Sequence, residues 1–253
     1  MLIEFDDIKH NLKIVQDRVE SACSKANRNP NGVRLLLATK TVAAERIKIA
    51  FECGYTLIGE NKVQELKEKF DALKEDAHER HFIGHLQTNK IKDVLKYGVD
   101  CIQSLDRIEL AEKLHQRLLF ENKTIDVLVQ VNTSGEESKF GLAPEDAVSF
   151  IKNISSLHTL RIKGLMTIAL FSAEAEKVRP CFKLLKNLSD EIRQENIPGV
   201  EMTGLSMGMS GDLETAIEEG ATIIRVGTAV FGPRINPDSY YWNEKATPMH
   251  GTK

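Results

Sequence analysis

The sequence has few of the features that mark secreted, membrane-bound or multidomain proteins. Its 253 residues include four cysteines and seven prolines, and no Gly-, Ser- or Pro-rich linker divides them. No apolar run is long enough to span a bilayer, and the N-terminus MLIEFDDIKH carries acidic residues where a secretory signal would be apolar. These absences predict a soluble, cytoplasmic protein without a membrane partner. They also predict one domain over residues 1–253, with a C-terminal tail at about 235–253.

The sequence also lacks a strong charge and a metal-binding motif. The net charge is −3 with both signs interspersed, so we expect no nucleic-acid partner. The cysteines are widely spaced without a CxxC pair, which predicts buried free thiols. The histidines at 78, 81 and 85 have no acidic or cysteine companions in a known pattern, so we predict surface or loop positions and no metal site.

What the chain does contain is a repeating pattern of short apolar runs. They are rich in Leu, Ile and Val and nearly continuous, as in the buried strands of a parallel sheet. The runs are Val33–Thr39, Tyr55–Gly59, His81–Gly84, Asp100–Ser104, Asp126–Asn132, Ile162–Ile168, Val200–Ser206 and Thr222–Val226.

Segments with helical spacing lie between these runs. Apolar residues fall on one face of the segments that begin near 63, 108 and 178, and a further amphipathic helix at about 8–22 precedes the first strand. The charged residues between 65 and 69 are interpreted as a solvated helix face. Strand and helix alternating about eight times predict an α/β fold, a single (β/α)₈ (TIM) barrel with an extra N-terminal helix. A doubly wound open sheet is the structural alternative.

Polar residues follow the predicted strands, where a barrel carries its functional groups. Lys40 closes the first run, and Arg225 lies within the eighth. Burial near the barrel mouth and neighbouring cations would favour the neutral amine of Lys40, which is a nucleophile toward aldehydes. The alternative is a lysine whose ammonium reaches solvent.

The loops after the seventh and eighth strands predict a phosphate site. Both are rich in small residues, and barrels often bind phosphate between these two loops. The anion would be surrounded by main-chain N–H groups and by the hydroxyls of Ser210 and Thr228. The N–H groups are those of Ser210, Gly211, Gly227 and Thr228. A lysine amine, a phosphate cradle and the cationic Arg225 together predict pyridoxal 5′-phosphate, held as a Schiff base on Lys40.

Six segments of the chain together form a distinctive pattern. They are LLLATK (35–40), GENKVQE (59–65), HFIGHLQTNK (81–90), QVNTSGEESKFGL (130–142), KGLMTI (163–168) and the stretch from Leu205 to Pro233. The pattern resembles the YggS family of pyridoxal-phosphate homeostasis proteins, called PROSC in animals.

The resemblance implies a barrel similar to the N-terminal domain of bacterial alanine racemase. It further implies that Lys40 carries the cofactor, that Arg225 faces the pyridine nitrogen, and that Asn61 and Met207 line the pocket. His85 stands where many bacterial members have proline and receives no role.

Two arguments favour a protein that holds the cofactor over one that uses it in catalysis. A cation beside the pyridine nitrogen disfavours ring protonation, and a racemase needs a second base that none of the four tyrosines obviously supplies. We therefore expect a monomeric protein of vitamin B6 homeostasis, with PLP-dependent apoenzymes as recipients. The alternatives are a weak PLP-dependent amino-acid racemase and a cofactor-free lysine aldolase.

Overall fold

The computed structural model describes residues 3–170, 172 and 174–233, so the predicted tail lies outside the described residues. Strands and helices alternate along this part of the chain. They are α1 (Ile3–Lys25), β1 (Arg34–Ala38), α2 (Ala44–Glu52), β2 (Leu57–Glu60), α3 (Val63–Leu73), β3 (Glu79–Phe82), α4 (Ile91–Lys96), β4 (Cys101–Leu105), α5 (Ile108–Glu121), β5 (Ile125–Gln130), α6 (Ala147–Ile154), β6 (Leu160–Met166), α7 (Ala175–Gln194), β7 (Val200–Ser206), α8 (Leu213–Glu218), β8 (Ile223–Val226) and α9 (Thr228–Phe231).

The strands form a closed parallel barrel in sequence order. Each strand pairs with the next, and β8 pairs with β1 through the registers Leu36 with Arg225 and Leu37 with Val226. The predicted (β/α)₈ barrel is therefore confirmed, and closure excludes the open sheet. All strands run in one direction, so their carboxyl ends lie at one end of the barrel.

Successive side chains of a strand point alternately into the barrel and out toward the helices. An inner apolar cluster and a larger outer core follow from this alternation. On β1, for example, Leu36 belongs to the inner cluster and Leu37 to the outer core. Burial of one such leucine contributes about 1.5–3 kcal/mol. The inner cluster is formed by Leu36, Leu57, Cys101, Leu128, Met166 and Ile223.

The predicted N-terminal helix is present as α1, and it supports the last repeat of the barrel. It packs against α2, α8 and α9. Arg28 donates hydrogen bonds to the carbonyls of Ile217 (2.5 Å) and Ala221 (2.7 Å), which lie at the end of α8 and just beyond it. Asn11 Nδ2 donates to the carbonyl of Val230 in α9 at 3.1 Å. The extra helix and the turn that follows it thus hold the segments that flank β8.

Two sequence predictions about single residues need correction. Cys23, Cys101 and Cys181 are buried free thiols as predicted, but Cys53 is exposed. The sequence predicts a surface or loop position for His81, but His81 is 2% exposed within β3 and contacts Gln103 inside the barrel. Among the described residues, no helix is both long and apolar enough to cross a membrane.

Candidate functional site

Lys40 lies at the carboxyl end of β1, two residues beyond the last strand residue. It is 8% exposed, and it continues the inward series of Leu36 and Ala38. The main chain on both sides of it is fixed. Thr39 N–H donates to the carbonyl of Gly59 at 3.0 Å, and Thr41, whose φ of 65° is unusual for a non-glycine residue, donates its N–H to Glu65 at 3.0 Å. The barrel therefore presents the Lys40 side chain from an immobilised strand end.

A buried ion cluster anchors this strand end to α3. Lys69 Nζ lies 2.8 Å from Glu60 Oε1 and 2.6 Å from Glu65 Oε2, and it also donates to the carbonyl of Thr39 at 2.6 Å. Burial raises the pKa of Glu60, and Lys69 opposes that shift. The prediction that the charges at 65–69 form a solvated face is wrong for Lys69, because it lies on the same face as Leu66 and Leu73.

Arg225 is a buried cation near Lys40. It is 6% exposed on β8, opposite Leu36 of β1. Its guanidinium donates to Ser206 Oγ at 2.8 Å and to the carbonyl of Thr167 at 2.7 Å. Burial lowers its pKa to about 10, so it stays protonated at neutral pH. Within the described part of the chain no carboxylate forms an ion pair with it, which is unusual for a buried charge.

The two predicted phosphate loops meet at the same end of the barrel. Thr228 Oγ1 and the Ala229 N–H each lie 3.4 Å from Ser210 Oγ. No acceptor for the main-chain N–H groups of Ser210, Gly211 and Thr228 is found in residues 3–170, 172 and 174–233. Exposed N–H groups that converge from two loops favour an anion.

Glycine at 227 allows β8 to end close to β1. A Cβ atom on Gly227 would lie 3.1 Å from the carbonyl oxygen of Ala38 and 3.5 Å from its Cβ atom. The chain thus brings the second phosphate loop next to the strand that leads to Lys40. The backbone contact and the β1–β8 register place Lys40, Arg225 and the two loops at one end of the barrel.

The remaining two predicted residues have different surroundings. Asn61 is buried directly after β2, on the strand beside Lys40. Met207 follows the inward Ser206, and its side chain is fully buried in the outer core between barrel and helices. The structure therefore brings Asn61 to the site but directs the Met207 side chain away from it, as the strand alternation requires.

Sequence reasoning missed one residue behind the first phosphate loop. Arg18 of α1 pairs with Glu214 at 2.6 Å and donates to the carbonyl of Ser210 at 3.0 Å. It fixes the loop from outside the site. No local motif predicts this contact, because 192 residues separate the two partners.

Sequence reasoning also missed polar residues inside the barrel. Ser206 Oγ donates to Gln103 Oε1 at 2.6 Å, and Gln103 Nε2 lies 2.6 Å from His81 Nδ1. These side chains connect Arg225 to the centre of the barrel. The sequence pattern that could have identified them is their inward position on β3, β4 and β7.

Other candidate groups have partners of their own. His85 stacks on Phe140 with ring centroids 3.9 Å apart. The Tyr55 hydroxyl lies 3.4 Å from Gln16 of α1, and Tyr97 packs edge-on against Phe70. His85 and Tyr97 line a cavity together with Asn61. Tyr240 and Tyr241 lie outside the described residues.

The arrangement combines a lysine amine, an anion cradle and a buried cation. An amine can form a covalent bond with a carbonyl carbon, and the cradle can hold a phosphate attached to the same molecule. These groups suit a small phosphorylated carbonyl compound.

Comparisons with known proteins match nearly the whole chain. The family described as alanine racemase, N-terminal domain, matches residues 3–235. A pyridoxal phosphate homeostasis protein of Aquifex aeolicus is 45% identical over 223 residues, which are 88% of this chain and 96% of that protein. A pyridoxal phosphate homeostasis protein of Haemophilus influenzae is 38% identical over 90% of this chain and 96% of its own length.

Among solved structures, the PipY protein of Synechococcus elongatus PCC7942 was determined with PLP bound. It superposes with a TM-score of 0.74 at 32% identity, and the match covers 85% of this chain and 100% of that chain.

Proposed function

The chain belongs to the pyridoxal phosphate homeostasis proteins, within the alanine racemase N-terminal domain family, and from this membership we propose that it binds pyridoxal 5′-phosphate (PLP) and serves in vitamin B6 homeostasis. The observation that carries the proposal is the placement of three groups at one barrel end. They are Lys40, the cationic Arg225, and the main-chain N–H groups of the loops after β7 and β8.

The residues present fit this cofactor. When bound, PLP supplies an aldehyde that bonds covalently to a lysine amine and a pyridine ring that withdraws electrons from the attached carbon. Lys40 would hold the aldehyde carbon. Ser210, Gly211, Gly227 and Thr228 would hold the phosphate, because unpaired N–H groups and hydroxyls meet there.

Arg225 would restrain carbanion chemistry at this site. Its charge is buried, and it is aligned by Ser206 and the carbonyl of Thr167. A fixed cation on the side of the ring nitrogen repels a proton there, so the ring withdraws fewer electrons than one paired with a carboxylate. This favours holding the cofactor over racemising amino acids. Asn61, beside Lys40 on β2, would line the same pocket.

The proposal extends to location and partners. We place the protein in the cytoplasm as a monomer, with PLP-dependent apoenzymes as recipients of the cofactor. The buried free thiols of Cys23, Cys101 and Cys181 suit a reducing compartment. Transfer is tested by mixing the PLP-loaded protein with an apoenzyme and comparing its reactivation rate with that produced by an equal amount of free PLP. Equal rates would contradict delivery.

Cofactor binding is tested by titrating the purified protein with PLP and following visible absorption. We expect a saturable band in the wild type that is lost in Lys40→Met. Lys90→Met is the matched control, since Lys90 is an exposed lysine that follows β3 at the same barrel end. Saturable binding in Lys40→Met equal to that of the wild type would contradict the role of Lys40.

The racemase alternative is separated by following α-proton exchange of L-amino acids in deuterated water. The proposed function predicts exchange no faster than that caused by free PLP. Fast exchange with accumulation of the D-isomer would establish an enzyme.

A further inference from the structure

A continuous line of hydrogen bonds runs through the barrel interior from Arg225 toward the opposite end. Arg225 Nη1 donates to Ser206 Oγ at 2.8 Å, and Ser206 Oγ donates to Gln103 Oε1 at 2.6 Å. Gln103 Nε2 lies 2.6 Å from His81 Nδ1, and His81 Nε2 lies 2.6 Å from Glu79 Oε1. We call these five residues the interior line.

The far end of the interior line is a permanent acceptor. The hydrogen bond from His81, with support from Arg34, lowers the pKa of Glu79 to about 2. Glu79 Oε2 also pairs with Arg34 Nη2 at 2.5 Å. A carboxylate can only accept, so His81 Nε2 carries the proton of their shared hydrogen bond.

The Gln103 amide sets the direction of the other bonds in the line. Its Nε2 faces His81 Nδ1 and can only donate, so Nδ1 accepts and the ring carries its proton on Nε2. The Gln103 carbonyl then faces Ser206 and accepts its single hydroxyl proton. Ser206 therefore offers its lone pairs to Arg225, and the orientation of each group follows from the next.

The opposite direction leaves a buried hydroxyl without an acceptor. A rotated Gln103 amide would place its carbonyl against His81 Nδ1, which would then need a proton as well. His81 would become an imidazolium paired with Glu79, and the Ser206 hydroxyl would face the Gln103 amide N–H groups and lose its acceptor.

We propose that Gln103 and His81 are positioning residues, which fix the Arg225 guanidinium where it meets the PLP ring by directing the Ser206 hydroxyl proton to Gln103 and its lone pairs to Arg225. The inference deepens the proposed function and depends on it for the identity of the ligand. The hydrogen-bond direction is a property of the protein alone and can be measured without PLP.

The first test is a two-bond ¹H–¹⁵N NMR spectrum of the ligand-free protein at pH 7, with His81 assigned through His81→Asn. We expect the neutral tautomer protonated on Nε2. Observation of the Nδ1-protonated tautomer or of the imidazolium in the wild type would overturn the proposal.

The second test changes Gln103 to Glu. A carboxylate against Nδ1 requires a proton there, so His81 is expected to become imidazolium at pH 7. Gln130→Glu is the matched control, since Gln130 is also buried on a neighbouring strand but donates to the carbonyl of Phe140 at 3.0 Å. A neutral His81 in a folded Gln103→Glu protein would contradict control by Gln103.

The third test uses PLP. In Gln103→Leu we expect the absorption band of the bound cofactor to shift in the same direction as in Arg225→Met. The affinity should weaken by up to about tenfold, the effect of losing one neutral hydrogen bond behind the guanidinium. Wild-type band position and affinity in Gln103→Leu, with both changed in Arg225→Met, would overturn the positioning role and leave the proposed function intact. A wild type without saturable PLP binding would instead overturn the proposed function, whatever the NMR spectra show.

Discussion

Two buried cations lie on the elements that flank the strand leading to Lys40, and their surroundings differ. Lys69 contacts the carboxylates of Glu60 and Glu65 at 2.8 Å and 2.6 Å. Arg225 donates to a hydroxyl and a carbonyl, both neutral. The charge of Lys69 is neutralised within the protein, so its role is structural. Among the described residues Arg225 has no carboxylate in hydrogen-bond contact, which is typical of a binding site.

The carboxyl that acts on Arg225 from a greater distance is Asp212. It accepts a hydrogen bond from the Met209 N–H at 2.5 Å and thereby holds the first phosphate loop. Burial raises the pKa of Asp212, and attraction to Arg225 only partly offsets that shift. Asp212 therefore compensates the charge of Arg225 less completely than Glu60 and Glu65 compensate that of Lys69.

The largest effect is expected when the buried ion cluster around Lys69 is broken. Lys69→Met leaves the buried Glu60 carboxylate without its cation, and we expect a loss of about 3–5 kcal/mol in the free energy of unfolding. Urea unfolding of the ligand-free protein measures it. Lys67→Met, an exposed neighbour on α3, should stay within about 0.5 kcal/mol. Equal effects of the two variants would contradict a structural role for Lys69.

The pH dependence of the stability of Lys69→Met tests whether the loss comes from the unpaired Glu60 carboxylate. Burial raises the folded-state pKa of Glu60, so the folded protein binds a proton more tightly than the unfolded chain. Stability then falls as the pH rises from the unfolded pKa through the folded pKa. Lys69→Met should therefore recover part of its lost stability when the pH is lowered toward 5. A further loss on acidification would assign the damage to a group other than Glu60.

An intermediate effect is expected for Arg225→Met. The variant removes a buried charge whose partners are neutral, so the loss in unfolding free energy should stay below about 2 kcal/mol. The absorption band of bound PLP should nevertheless shift. Arg80→Met is the control for the PLP absorption band, which it should leave unchanged. Arg80 is equally buried but donates to the carbonyl of Tyr97 on the outer side of β3. A loss of stability as large as that of Lys69→Met would remove the distinction between the two cations.

The smallest effect concerns the far end of the interior line. The folded-state pKa of Glu79, about 2, lies below its ordinary value, so its contribution to stability is present above about pH 4.5 and is lost as the pH falls toward 2. Its side chain is 40% exposed, so solvent screening reduces that contribution to less than about 1 kcal/mol. In Glu79→Gln the free energy of unfolding should fall less between about pH 4.5 and 2 than in the wild type. Glu75→Gln, which changes an exposed carboxyl, should behave as the wild type does. A wild-type fall in Glu79→Gln would show that the Glu79 carboxylate does not stabilise the fold.

Much of the fold and part of the site could be predicted from local patterns. Continuous apolar runs identify buried parallel strands, and the run at 200–206 coincides with β7. Lys40, Arg225 and the small residues of the last two loops are recognisable because strand ends converge in a barrel. Their shared location follows from topology alone.

The rest depends on which way each side chain points and on contacts distant in sequence. Strand alternation decides where the side chains of His81 and Met207 point. His81 and Gln103 lie on the inward faces of β3 and β4, whereas Met207 takes the outward direction. The contact of Arg18 with Ser210 joins the first helix to the seventh loop, and no local pattern predicts it.

The most direct test of the central claim identifies the residue that holds the cofactor. The PLP-loaded protein is reduced with borohydride, digested and analysed by peptide mass spectrometry. We expect the phosphopyridoxyl mass on Lys40, in the peptide that follows β1, and its loss in Lys40→Met. The same mass on another lysine in the wild type, with Lys40 unmodified, would contradict the proposed site.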